Sequence, residues 1–142
     1  MKKNIGLRIA LPVGIVLCTA FIWWQSLLSA ADSSVQSGRI VGWLVGLLGW
    51  EYRPWMSVAV RKAAHFIEFA VLGTQWGGCA RVYNRYRLWR WGVLTGAVDE
   101  CLQFFAPGRA PMVIDALIDT AGFLCGVALV YGIAYWRRKK IK

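Results

Sequence analysis

Hydrophobic residues gather into four long runs separated by short polar stretches. The first covers about residues 9–28, the second 56–80, the third 88–105 and the fourth 112–136. Several approach the ~20 apolar residues that cross the hydrocarbon core of a bilayer as a helix. Between the first two runs, Ala31–Gly38 is small and polar and reads as a loop. Ile40–Trp50 is apolar but too short to span, and Gly42 and Gly46 weaken it as a helix, so it reads as an interfacial or re-entrant piece. Tyr52, Arg53 and Trp55 suit a headgroup layer, and Pro54 can open the next helix. Ala106-Pro107-Gly108-Arg109-Ala110-Pro111 is a strong turn signal before the last run. The pattern predicts an all-α polytopic membrane protein. It is a bundle of four transmembrane helices plus the short segment, forming one domain over residues 1–142.

Composition supports this class. The chain is 58% hydrophobic and carries nine tryptophans, more apolar surface than a soluble domain of this size can hide. A cleavable signal peptide would also begin with basic residues such as Lys2 and Lys3, and Ser29-Ala30-Ala31 resembles a cleavage site. The first run is longer than the ~7–15 residues of a signal core, however, and Trp23 and Trp24 suit an outer interface, so a retained helix is expected.

The formal net charge of +10 would fit a nucleic-acid binder, but its distribution argues for topology instead. Lys2, Lys3 and Arg8 precede the first run. Arg81, Arg85, Arg87 and Arg90 lie between the second and third, and Arg137, Arg138, Lys139, Lys140 and Lys142 follow the fourth. No acid falls in these groups. This is the positive-inside pattern, which predicts a multi-pass protein of the inner (plasma) membrane with both termini cytoplasmic. No aromatic-basic recognition module is visible, so nucleic acid is not an expected partner. Cys18, Cys79, Cys101 and Cys125 are scattered singly and read as packing residues.

With that topology, all seven acids share the extracytoplasmic side, and five of them enter the runs. A carboxylate near the bilayer centre costs about 2.5–3.5 kcal/mol even on lenient scales, so such groups face one another or a wet cavity. Helical spacing sharpens the picture. Arg61, His65 and Glu68 fall at i, i+4, i+7 on one face of the second run, with Lys62 beside them. Asp99 and Gln103 are i, i+4 on the third, with Glu100 one step round, and Asp115 and Asp119 are i, i+4 on the fourth. Gly122 and Gly126 continue that last stripe and would let helices approach closely. Together with Gly92 and Gly96 they could serve internal packing or self-association, which leaves the oligomeric state open. Three runs thus deliver polar groups to one depth, which predicts a shared polar pocket.

Two segments then bring a family into view. Arg61-Lys62-Ala63-Ala64-His65-Phe66-Ile67-Glu68-Phe69 resembles the first signature of the VanZ-like family. Asp99-Glu100-Cys101-Leu102-Gln103-Phe104-Phe105-Ala106-Pro107-Gly108-Arg109, followed by Asp115, Asp119 and Gly122, resembles the remainder. The resemblance runs from near residue 10 to near residue 135. It implies a small four-helix membrane protein of the bacterial cell envelope. It also implies a link to susceptibility to the glycopeptide antibiotic teicoplanin, with which the founding member is associated. The chain departs from many relatives at Asp119, where they carry Asn.

Two functional classes fit the residues. In the first, the pocket binds a membrane lipid headgroup or a lipid-linked cell-wall intermediate. Arg61, Lys62 and Arg109 would hold phosphate, and Gln103, Asp115 and Asp119 would orient those cations or meet amine and hydroxyl groups. In the second, the chain is an intramembrane enzyme acting on a lipid phosphate, with His65 as general base and Glu68, Asp99 and Glu100 as catalytic carboxylates. His65 with Glu68 and an aspartate could then hold a divalent ion, magnesium or manganese over zinc. No H-E-x-x-H, G-x-S-x-G or C-x-x-C motif occurs, so neither a metal nor a cofactor is expected from the motifs. A proton pathway is less well supported, because the inner halves of the runs lack a continuous chain of polar residues.

Overall fold

The computed structural model describes residues 5–85 and 87–140, so the charges of Lys2, Lys3 and Lys142 lie outside the described residues. It is all-helical there, with five helices: α1 (Ile5–Ser26), α2 (Ala30–Leu48), α3 (Pro54–Val82), α4 (Arg90–Gln103) and α5 (Val113–Lys140). The 22 residues of α1 and the 28 of α5 are long and apolar enough to cross a membrane. In α1 only 6% of the most apolar stretch is buried inside the protein. A core helix of a soluble protein would be covered, whereas α1 turns Ile9, Val16, Leu17 and Phe21 outward. The exposed apolar surface continues over Val71, Leu94, Leu117 and Leu129 on the other helices.

One segment differs from the sequence expectation. The predicted polar loop at Ala31–Gly38 and the predicted interfacial piece at Ile40–Trp50 are parts of a single 19-residue helix, α2. Its start is capped by Ser29, whose Oγ accepts the Asp32 backbone N–H at 3.1 Å and donates to the Asp32 carboxylate at 2.6 Å. Asp32 also suits the positive end of the helix dipole. Ser33, Ser37 and Val41, at i, i+4, i+8, are the buried face, and α2 packs on α3. Two of the polar residues that read as a loop, Ser33 and Ser37, therefore form a small-residue stripe on the inward face of a helix, while Asp32, Ser34 and Gln36 are exposed. Gly49 ends it in the left-handed conformation, φ 66°, returning its N–H to the Val45 carbonyl.

Helix α4 is shorter than the predicted run, 14 residues from Arg90 to Gln103. Phe105 and Ala106 donate to the carbonyls of Leu102 and Gln103, a tightened last turn that stops the helix. Helix α3 is the hub and contacts all four others, most extensively α5. Ile22, Phe69, Leu72, Phe123 and Val127 form the apolar core, drawn from α1, α3 and α5.

The α3–α5 contact is made backbone to backbone. A methyl group at Gly122 would overlap the Phe66 carbonyl oxygen, one at Gly126 the Ala70 carbonyl oxygen, and one at Gly73 the Phe123 carbonyl oxygen. The glycine stripe of the sequence thus serves internal packing. Gly126→Ala is expected to lower stability by about 1–3 kcal/mol through overpacking. Gly132→Ala, on the same helix with nothing within 4 Å of the new methyl, is expected to be neutral or slightly stabilising. Thermal unfolding of both variants in detergent checks the contrast; equal stability would mean that α3 and α5 do not touch at this point.

Candidate functional site

The ten polar residues predicted to share a pocket meet at one end of the bundle. Helix α3 supplies Arg61, Lys62, His65 and Glu68; α4 supplies Asp99, Glu100 and Gln103; α5 supplies Asp115 and Asp119. Arg109 comes from the 104–112 turn. There Gly108 takes a left-handed conformation, φ 73°, and the Ala106 carbonyl accepts the Arg109 N–H at 3.1 Å. The turn is also tied to α2, since the Pro107 carbonyl accepts the Ala30 N–H at 3.0 Å.

Asp99 and Asp119 lie deepest, 0% and 1% exposed. The Asp99 carboxylate is held from both sides. Ser26 Oγ donates to Oδ1 at 2.6 Å, and Gln103 Nε2 donates to Oδ2 at 3.2 Å. These bonds compensate part of the cost of burying the group. Asp119 has no such support, and both of its oxygens are buried without a hydrogen-bond partner. Facing it is His65, whose Nδ1 stands 3.9 Å from Oδ1, beyond hydrogen-bond range, and is itself buried without a partner. One ligand-capable atom each from His65, Asp99 and Asp119 lies within 4.8 Å of the others.

Two of the acids have partners that define structural roles. Lys62 Nζ pairs with Asp115 Oδ1, joining α3 to the start of α5. Glu100 accepts the Met112 backbone N–H at 3.0 Å and lies 3.4 Å from Gln103 Nε2. Its carboxylate thereby anchors the end of the 104–112 turn to α4.

Above the buried aspartates are two cavities. One, of about 150 Å³, is bounded by Gln25, Ser37, Arg61, His65, Glu68 and Arg109. The other, of about 330 Å³, is bounded by Arg61, Lys62, His65, Gln103, Arg109 and Asp115. Arg61, His65 and Arg109 border both, so the two are compartments of one polar chamber. Burial, with repulsion from the Arg61 guanidinium, pulls the Arg109 pKa below its usual value, yet a guanidinium stays cationic at neutral pH. Among the described residues neither arginine forms an ion pair.

The first two helices contribute more than the sequence indicated. Ser26 holds Asp99, and Gln25, Ser33, Gln36 and Ser37 wall the smaller cavity. The signal available was Gln25-Ser26 at the end of an apolar run, and the i, i+4 spacing of Ser33 and Ser37.

Comparison with known protein families places a match to the VanZ/LLP1 family model over residues 13–135, a span that includes every residue of the chamber. Neither the curated proteins nor the solved structures yield a match to the chain.

Proposed function

We propose that this chain, a membrane protein that belongs to the VanZ/LLP1 family, binds the phosphate-bearing headgroup of a bacterial envelope lipid, or of a lipid-linked cell-wall intermediate, in the chamber between α2, α3 and the 104–112 turn. The observation that carries this reading is the pair Arg61 and Arg109. Two guanidiniums line the same cavities, repel each other and form no ion pair among the described residues. A bound phosphate would relieve that repulsion through bidentate contacts. The chamber is bordered by apolar surface, with Val58, Phe104 and Phe105 exposed near it, which suits a ligand with a charged head and an apolar tail.

In this reading α1, α3 and α5 cross the membrane of a multi-pass plasma-membrane protein, and the run 88–105, of which the 14-residue α4 is the helical part, makes the fourth pass. The chamber opens outward and both termini are cytoplasmic. Reporter fusions test the topology. Fusions after Arg87 and at Lys140 are expected to report cytoplasm, and one within the Pro107–Pro111 turn the opposite side; the reverse assignment would remove the chamber from the outer face.

Ligand binding is tested by purification. The wild-type chain is expected to retain phosphate-bearing lipid in mild detergent, measured by native mass spectrometry. Arg61→Ala or Arg109→Ala is expected to cut retention about tenfold or more, the loss of one charge-assisted contact. The same variants are expected to abolish any effect of the chain on teicoplanin susceptibility of the host. Unchanged lipid retention together with unchanged susceptibility would contradict the reading. A second reading, catalysis on the lipid phosphate, is favoured by the imidazole of His65 at the chamber wall beside two buried carboxylates. It requires that the retained lipid be turned over by the wild-type chain and not by His65→Gln.

A further inference from the structure

We propose that His65, Asp99 and Asp119 bind one divalent transition-metal ion, manganese(II) or zinc(II), at the floor of the chamber. The three residues come from α3, α4 and α5, and one donor atom of each lies within 4.8 Å of the others. Asp119 is the decisive group. It is 1% exposed and neither carboxylate oxygen has a partner. A carboxylate so placed needs a cation or a proton. Lys62 cannot serve, since Asp115 engages it. His65 presents a buried, unpartnered Nδ1 to the same point.

The surroundings have the form of a metal site. Asp99 is oriented by Ser26 and Gln103, the kind of outer hydrogen bonding that fixes a ligand carboxylate. Neighbouring ligands of a tetrahedral ion with bonds near 2.0–2.1 Å stand about 3.4 Å apart. The 3.9 Å between His65 Nδ1 and Asp119 Oδ1 closes to that by a small side-chain rotation. One imidazole with two carboxylates suits manganese or zinc better than calcium, which prefers an all-oxygen shell, or copper(I), which prefers sulfur. No sequence motif announces the site because its ligands lie on three separate helices.

The site lies beneath the arginines and needs no bound lipid, so it stands or falls separately from headgroup binding. The full chain, purified in detergent and stripped with chelator, is titrated with manganese(II) and with zinc(II) by calorimetry, and the manganese form is read by electron spin-echo spectroscopy. The expected result is one ion per chain, with nitrogen modulation from a bound imidazole. Asp119→Asn and His65→Gln, both close in size to the native side chains, are each expected to weaken binding at least about 100-fold. His65→Gln also loses the nitrogen signal, while the exposed, remote Glu51→Gln binds as wild type. Circular dichroism establishes that each variant is folded. Absence of saturable binding to the wild-type chain would overturn the proposal, as would folded Asp119→Asn binding with wild-type affinity. So would a wild-type manganese signal without nitrogen coupling.

Discussion

The backbones of α3 and α5 touch because Gly73, Gly122 and Gly126 put nothing between them. Everything at the polar end depends on this contact. His65 lies on α3 one residue before Phe66, whose carbonyl faces Gly122, and Asp119 lies on α5 one turn before that glycine. Close approach of the two backbones therefore forces His65 and Asp119 to the same depth, with Lys62 and Asp115 one turn further out. Side chains at the glycines would separate the helices and open the space between these groups to lipid or water.

The remaining helices complete a container around that axis. α4 is short, and its last turn carries Asp99, Glu100 and Gln103 into the interior. α1 closes one side with Ser26, and α2 another with its serine stripe. The 104–112 turn returns Arg109 to the chamber. Polar groups thus concentrate at one end of a bundle whose outer surface is apolar. That division is the one expected when burying a charge is costly and each charged group must find either a partner or a ligand.

Much of this was legible in the sequence because helical period and membrane energetics act on single residues. The i, i+4, i+7 spacing of Arg61, His65 and Glu68 and the i, i+4 spacing of Asp115 and Asp119 placed them on inward faces, and the chamber assembles those faces. The glycine stripe was readable for the same reason. Helix α2 was not, because its first half is polar outward as well as inward and its second half exposes Ile40, Trp43, Leu47 and Leu48, so that hydropathy along the chain imitates a loop followed by a short membrane piece. The Ser29 cap with Asp32 three residues on was the local signal for its start. Pairwise roles were also hidden. That Lys62 meets Asp115, Ser26 meets Asp99 and Asp119 meets nothing is a matter of helix rotation and depth, which one-dimensional spacing does not encode.

The arrangement of α3, α4 and α5 is tested most directly by an experimental structure of the chain in a lipid bilayer or lipidic mesophase. The expected result is that donor atoms of His65, Asp99 and Asp119 lie within about 5 Å of one another, as the 4.8 Å limit here requires, with Gly122 and Gly126 against the α3 backbone. A structure in which Asp99 or Asp119 faces lipid, or α5 is rotated so that its glycines point away from α3, would contradict it.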